Sequence, residues 1–405
     1  MRKQKVKQKV VLAFSGGLDT SYCIKYLSLI KKLEVHSVLI NTGGFSRAQL
    51  VQLQNRARQL GVKVHKTIDV TRTYYQNCIR YLVYGNILRN HTYPLSVSAE
   101  RAFQAMAVAR YALDINADYL AHGSTGAGND QVRFDVIFNI LAPGIPVLTP
   151  IRDLKLSRDE EIRFLQAHHV QMDWQKSKYS VNQGLWGTSI GGRETLTSGE
   201  ALPEEAYPTR ATKTKTIRLE LHFKKGEFCG HDSEYCKDPV EAIKKLNGLA
   251  APFGIGRDIH TGDTIIGIKG RVGFEAAAPL IILKSHEALE KHVLTKWQIH
   301  WKDQLANWYG MLIHEGQYLD PVMRNIEKFM QDTQKFVNGT VYVELAPYRF
   351  RILGIASPHD LMSSRFGRYG EMNLAWTGQD VRGFAKILSN QSMIFRALNK
   401  RGLND

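Results

Sequence analysis

Apolar positions in the first third of the chain fall into short blocks separated by stretches of helical spacing. Val10 to Phe14 is an unbroken apolar run, and Cys23, Ile24, Leu27 and Ile30 then recur on one helix face, so this segment reads as strand, turn and helix. Val35 to Ile40 predicts a second strand. Leu50, Leu53, Ala57 and Leu60 mark the next helix, with Gly61 placed to end it. Val62 to His65, Tyr119 to Ala121 and Val147 to Thr149 read as further strands, with a helix over Ser98 to Asp114 among them. Alternating strands and helices predict an α/β fold with a doubly wound parallel sheet covered on both faces. Ligands of such sheets sit beyond the C-terminal ends of the strands, the edge from which the turns at Ser15, Asn41 and His122 depart.

From about residue 172 the pattern changes. Asn182 to Thr216 is rich in Gly, Ser, Thr and Pro with little periodicity, which reads as an extended excursion before strands resume at Ile217 to Phe223. Helical spacing then runs from Leu294 to His314 and from Pro321 to Val337, and Val341 to Leu345 with Tyr348 to Leu353 reads as a hairpin. Gly383 to Leu398 is an amphipathic helix with no apolar partner nearby in sequence. The expected organisation is a parallel-sheet domain over 1–171, an α+β domain over 172–380 and a C-terminal oligomerisation helix over 381–405.

Composition narrows the class. Hydrophobic residues make up 43% and charged residues 23% of 405 positions, as in globular proteins with sizeable cores. No apolar run approaches a membrane span, and the N-terminal one stops at the glycine turn, too soon for a secretory signal. Four cysteines do not make a disulfide framework, so a cytoplasmic protein is expected. The net charge of +16 is unusual and fits either an RNA partner or a field that gathers small anionic substrates. Arg2, Lys3, Lys5, Lys7 and Lys9 read as a solvated tail, and no RNA-binding signature with stacking aromatics follows them.

Two constellations carry the chemistry. In Ser15-Gly16-Gly17-Leu18-Asp19-Thr20-Ser21 two glycines let the backbone approach an anion closely. The amides of the following helical turn point at it, and the hydroxyls of Ser15, Thr20 and Ser21 add donors. The lysine of the other common phosphate loop is missing. The second constellation, His122 to Phe134, carries three glycines with Thr125, Asn129, Asp130 and Arg133. A guanidinium clamps a carboxylate and a carboxylate suits an ammonium, so this set fits amino-acid-like substrates. Weaker signals read as structure. Cys229 and Cys236, with His222 and His231, lack the close cysteine pair of a structural zinc site. Cys23 and Cys78 read as small buried apolar residues, and Trp297, Trp301, Trp308 and Tyr309 as core or subunit interface.

S-G-G-x-D-[ST]-S after a strand resembles the pyrophosphate loop of the ATP-pyrophosphatase superfamily, whose members adenylate a substrate oxygen and release pyrophosphate. H-G-[AS]-T-G-x-G-N-D-Q-V-R-F further resembles the argininosuccinate synthase family. Tyr93 and Ser98, Tyr179-Ser180, Ser189 with Gly191-Gly192, Gly254 to Arg257 and Gly267-Ile268-Lys269 extend that similarity from about Val10 to about Leu388. The resemblance implies a nucleotide-binding domain followed by a synthetase domain, in a ligase that joins citrulline and aspartate and turns ATP into AMP and pyrophosphate with Mg²⁺. It implies that ATP meets Ala13, Phe14, Ser15, Gly16, Gly17, Leu18, Asp19, Thr20, Ser21, Ile40 and Gly123. Aspartate would meet Thr125, Asn129 and Asp130, and citrulline would meet Tyr93, Ser98, Asn129, Arg133, Ser180 and Ser189. Asp19, Ser21 and Asp130 are the implied catalytic candidates, with Asp19 either binding the metal or favouring the helix N-terminus. The family is typically tetrameric. A tRNA-modifying member of the superfamily and a basic RNA-binding protein are the rival readings. The first lacks a supporting cysteine motif, and the second leaves both glycine-rich constellations unexplained.

The chain departs from the resemblance at Asn41, where the family usually has aspartate, and at Ala127, where it has lysine. The sharper departure is at Gly262 and Phe274, which replace a glutamate and a tyrosine expected to meet the amino-acid end of citrulline. One reading is an Nα-acylated citrulline, with Gly262 opening space for the added group; the other is that Asp263 takes over the glutamate's role.

Overall fold

The computed structural model describes residues 7–172, 179–235, 238–363, 367, 369–371 and 375–399; Arg2, Lys3, Lys5 and Cys236 lie outside the described residues. The first five strands are β1 (Lys9–Ala13), β2 (Glu34–Asn41), β3 (Val64–Asp69), β4 (Tyr119–Ala121) and β5 (Val147–Leu148). They form one parallel sheet in the order β3-β2-β1-β4-β5. The chain therefore winds outward on one side as far as β3 and returns to the other side of β1 at β4. That reversal leaves a crevice at the C-terminal ends of β1 and β4, where open α/β sheets bind ligands.

The strands alternate, as a sheet buried on both faces requires. Val11, Val38, Ile40 and Leu120 enter one core with the helix Ser96–Asp114, through Ala99, Ala102 and Phe103. Val10, Leu12, Val35, Leu39 and Ala121 enter the other, with Tyr22 and Ile24 of the helix Leu18–Lys25 and Leu165 of the helix Arg158–Ala167. The helix after β2 is Arg47–Gln59, started by a Ser46–Gln49 capping box, and Gly61 follows its end at φ +93°. The third strand begins later than its apolar run suggests, because Val62 is spent closing the preceding helix through a bond from its amide to the Ala57 carbonyl.

The stretch from Asn182 is not a structureless excursion. β6 (Ser180–Gly184) and β7 (Gly187–Gly191) form a tight hairpin within it. β8 (Ile217–Lys224), β9 (Glu227–His231) and β10 (Glu234–Tyr235) follow, then β11 (Arg257–Asp263), β12 (Lys269–Glu275), β13 (Gly339–Ala346) and β14 (Arg349–Ala356). They make two antiparallel sheets, β10-β9-β8-β13-β14 and β11-β12-β7-β6. Long helices over Ala277–Val293, Lys296–His314 and Pro321–Thr333 accompany them. In the helix Lys296–His314, Tyr309 is buried whereas Trp297, Trp301 and Trp308 are exposed.

The described residues fall into two compact units, one ending at Ser357 and one beginning at Pro358. The second is built on the helix Gly378–Leu398, opened by a Thr377–Asp380 capping box; its Val381, Phe384, Ile387, Leu388, Ile394 and Phe395 are all exposed. No helix among the described residues is long and apolar enough to cross a membrane.

Candidate active site

The first turn is built to hold its backbone open. Gly16 sits at φ +81°, and a Cβ on it would lie 2.3 Å from Leu53 Cδ2, so only glycine fits there. Gly17 starts the helix Leu18–Lys25 without a side-chain cap. The amides of Leu18, Asp19 and Thr20 therefore have no intrahelical acceptor and face the turn. Ser21 ties the loop down, its amide and Oγ donating to the Gly17 carbonyl at 3.1 and 2.7 Å. Arg56 adds charge from the next helix, donating from Nε to the Gly16 carbonyl at 3.1 Å and from Nη2 to Ser21 Oγ at 3.3 Å. Amides, a helix N-terminus and a guanidinium around one glycine turn make an anion cradle.

The second loop meets the first. A Cβ on Gly123 would lie 3.3 Å from the Asp19 carbonyl carbon, the Asp19 Cβ and Thr20 Cγ2. His122, buried at the end of β4, accepts at Nδ1 from the Ser124 amide at 3.2 Å and approaches Asp135 Oδ1 with Nε2 at 3.0 Å. Arg152 Nη1 holds the other Asp135 oxygen at 2.6 Å. Gln131 Nε2 donates back to the Gly126 and Gly128 carbonyls, so the loop is fastened to the start of the helix Asp130–Leu141. Thr125 is exposed at its tip, and Asn129 Oδ1 accepts from the Ile265 amide at 2.8 Å.

Beside that loop lies a network of charges. Asp130 accepts from Arg101 Nε and from Arg133 Nη1, both at 2.8 Å. Burial alone would raise its pKa, but the two guanidinia outweigh burial and hold it down at about 2. Arg101 also donates to Glu100 Oε1 at 3.0 Å and to Asn182 Oδ1 at 2.8 Å. Glu100 is fully enclosed and accepts from Thr42 Oγ1 at 2.7 Å; burial pushes it up to about 7 against the pull of Arg101. Arg133 is buried and donates to the His314 carbonyl at 2.8 Å and to Ser98 Oγ at 3.0 Å.

The hairpin closes the far side. Asn182 pairs with Ser189 and Ser180 with Gly191, so Ser180, Asn182 and Ser189 share a face, which Asn182 directs at Arg101. Ser189 is buried and faces Phe274 across β7 and β12, while Ser180 is exposed. Phe274 lies 5.5 Å from the Tyr93 ring, and Tyr93 stacks on His260 at 5.3 Å. The Tyr93 hydroxyl accepts from Ser96 Oγ and the Val97 amide, so it caps the helix Ser96–Asp114.

Two expectations about the amino-acid end are overturned. Gly262 opens no space: a Cβ there would lie 2.6 Å from His260 Nε2 and 3.2 Å from Asn90 Nδ2. Asp263 does not replace a carboxylate, because its Oδ1 pairs with Lys269 Nζ at 2.6 Å on the exposed edge of β11 and β12. Asn41 proves suited to its turn, donating from Nδ2 to Asp69 Oδ2 at 2.7 Å while its Oδ1 accepts from the Gly43 amide at 2.9 Å. Sequence reasoning missed Arg56, Glu100, Arg101, Asn182, His260 and His314. Glu100 and Arg101 sit in the first turns of a helix whose start faces the strand ends, a signal that was available. The others join the site only through packing.

Asp19 has an unforeseen partner, Glu161 of the helix Arg158–Ala167, to which it is hydrogen-bonded side chain to side chain. Burial first, then the neighbouring carboxylate, raises Glu161 to about 8, against the opposing charge of Arg158. Glu161 Oε2 is buried and accepts from nothing among the described residues.

A five-stranded parallel sheet with an amide-lined glycine turn at its switch point defines a nucleotide-binding α/β protein of the HUP type. A model described as the arginosuccinate synthase N-terminal HUP domain matches residues 9–171, and one described as the arginosuccinate synthase C-terminal domain matches residues 179–395. The chain belongs to the argininosuccinate synthase family. It is 34% identical to the argininosuccinate synthase of Dictyoglomus thermophilum over 404 residues, covering 98% of this chain and all of the relative. The corresponding protein of Methanocaldococcus jannaschii is 34% identical over 96% of this chain and 98% of its own length. That of Xanthomonas campestris is 33% identical over 96% and 99%.

Proposed function

We propose that this chain is an ATP-dependent C–N ligase of the argininosuccinate synthase type, joining a citrulline-type ureido substrate to aspartate. The observation that carries this reading is the contact between the two glycine-rich loops, Gly123 against Asp19, with the Asp130–Arg133 network beside it. Pyrophosphate leaves into the Ser15–Ser21 cradle, where the free amides, Ser15, Thr20 and Arg56 meet its charge. The ureido oxygen attacks the α-phosphorus, with Tyr93, Ser98, Asn129, Arg133, Ser180 and Ser189 orienting it. The aspartate amine, held by Thr125, Asn129 and Asp130, then attacks the activated carbon and expels AMP. Adenylation makes a poor leaving oxygen a good one, so positioning does most of the work.

The residues present fit Mg²⁺. Asp19 and Glu161 offer two hard oxygen donors, one of them buried without a partner, and this cation binds through one or two carboxylates together with substrate phosphates. Bound there, it would neutralise phosphate charge. The exposed apolar face of Gly378–Leu398 supports a homo-oligomer, read as a tetramer, and the scarcity of cysteine supports the cytoplasm.

The test supplies ATP, Mg²⁺, aspartate and citrulline-type substrates labelled with ¹⁸O in the ureido group. The label is expected in AMP, and AMP formation is expected to need aspartate and no RNA. Label absent from AMP would exclude adenylation of the ureido oxygen.

A further inference from the structure

Glu100 is enclosed on the helix Ser96–Asp114, only 1% exposed. Thr42 Oγ1, in the turn after β2, donates to its Oε2 at 2.7 Å, and Arg101 Nη1 donates to its Oε1 at 3.0 Å. Gly184 of β6 closes over the carboxyl, since a Cβ there would lie 2.2 Å from Oε2. The phenols of Tyr74 and Tyr93 feel its charge, and burial pushes both up, so neither is ionised. Asp130 of the helix Asp130–Leu141 faces it across Arg101, whose Nε donates to Asp130 Oδ2. Arg101 also reaches Gln104 Oε1 and Asn182 Oδ1, both at 2.8 Å, and its Nη2 keeps a second hydrogen with no acceptor among the described residues.

Two carboxyl groups and two guanidinia thus alternate in one row, Glu100, Arg101, Asp130 and Arg133. With both carboxyls ionised the charges cancel, and nothing is left to meet an anion. With one of them neutral, a single positive charge remains. Asp130 cannot be that one, because two guanidinia hold it ionised. Glu100 can: it has only Arg101, shared with Asp130, and burial outweighs that attraction and raises it to about 7. Its pocket suits either state, since the Thr42 hydroxyl donates to a carboxylate and accepts from a protonated carboxyl. Aspartate carries one net negative charge near neutral pH. A negative charge entering beside this row favours the neutral form of a carboxyl already in it.

We propose that Glu100 is a positioning residue for aspartate, taking up a proton from solvent as aspartate binds so that Arg101 and Arg133 keep one uncancelled positive charge to hold it. The proposal rests on the ligase reading above, in which Asp130 holds the aspartate amine. Glu100 does not touch the substrate and acts through Arg101. Ionised, it draws the guanidinium's charge toward Nη1; neutral, it remains an acceptor in the same place and leaves that charge to the side facing Asp130.

The full-length protein, with ATP, Mg²⁺ and citrulline, is assayed for AMP formation at varied aspartate from pH 6 to pH 8.5. Glu100→Gln keeps the shape and is neutral throughout. Its kcat/KM for aspartate, divided by that of wild type, is expected to rise at least fivefold across this range, while the same ratios for citrulline and ATP stay within twofold. A smaller rise for aspartate, or an equal rise for all three substrates, overturns the proposal. No aspartate-dependent AMP from wild type at any pH overturns the ligase reading instead. Should the variant not fold, calorimetry on the wild-type protein decides. Aspartate is titrated at pH 8 into protein holding citrulline and a non-hydrolysable ATP analogue, in buffers of different ionisation heat. Uptake of at least half a proton per aspartate is expected, and less uptake, or release, overturns the proposal.

Discussion

Gly123 stands directly against Asp19, so that a single Cβ added to the second loop would meet the backbone of the first at 3.3 Å. Backbone cannot swing aside as a side-chain tip can. Gly123→Ala should therefore shift the N-terminus of Leu18–Lys25 by a few tenths of an ångström. Overpacking of this kind costs about 1–3 kcal/mol. The expected outcome is an ATP KM raised about tenfold, equivalent to about 1.4 kcal/mol, with the aspartate KM nearly unchanged. Steady-state kinetics varying each substrate separately checks it.

His122 holds the second loop through its tautomer. Because Nδ1 accepts from the Ser124 amide, Nε2 carries the proton and donates to Asp135. Asp135→Ala leaves a buried N–H unpaired and frees Arg152, at a cost of roughly 1–3 kcal/mol. Asp135→Asn retains an acceptor and should lose less. Chemical denaturation of both variants measures the difference, and nitrogen NMR of the wild type at pH 8 should place the His122 proton on Nε2.

The parallel sheet was legible because each strand is a short apolar block and each block is followed by helical spacing. Both phosphate-side loops were legible because glycines crowd beside polar residues, as at Gly16-Gly17 and Gly126 to Gly128. The β6–β7 hairpin was not. Asn182 and Ser189 turn polar side chains toward the site, and Thr188 buries another on the opposite face, which erases the apolar alternation by which strands are recognised. Likewise Arg101 joins Asp130 and Asn182 across separations that periodicity does not encode. The amino-acid end was misjudged for a simpler reason. A missing side chain reads as space in a sequence, and here His260 had moved into it.

Glu100 makes the fold sensitive to pH. Its carboxyl is buried and raised from 4.5 to about 7. Below pH 4.5 it is neutral both folded and unfolded. Between 4.5 and 7 the folded protein keeps a proton that the unfolded chain has lost, so stability falls as pH rises through that window and levels off above it. Glu100→Gln does not titrate. Its unfolding free energy relative to wild type should therefore move in the variant's favour by about 3 kcal/mol between pH 4.5 and 7.5. Urea denaturation at a series of pH values tests this, and parallel curves for the two proteins would contradict it.

Asp19 and Glu161 make opposite demands with and without a cation. Without one, burial and the contact with Asp19 keep the Glu161 carboxyl raised, and its Oε2 lacks a donor. Glu161→Gln keeps the shape and need not take up a proton on folding, so the metal-free protein should be as stable as wild type or more so. With Mg²⁺ present the sign reverses, because an amide oxygen is a weaker ligand than a carboxylate for a hard cation. The half-saturating Mg²⁺ concentration for AMP formation should then rise at least tenfold while the aspartate KM stays put. Asp19→Asn should do the same, and the double variant should cost less than the two single effects combined, as expected of groups acting on one ligand. Thermal denaturation in EDTA and Mg²⁺ titration of AMP formation separate the two halves. A loss of metal-free stability with unchanged Mg²⁺ dependence would make the pair structural.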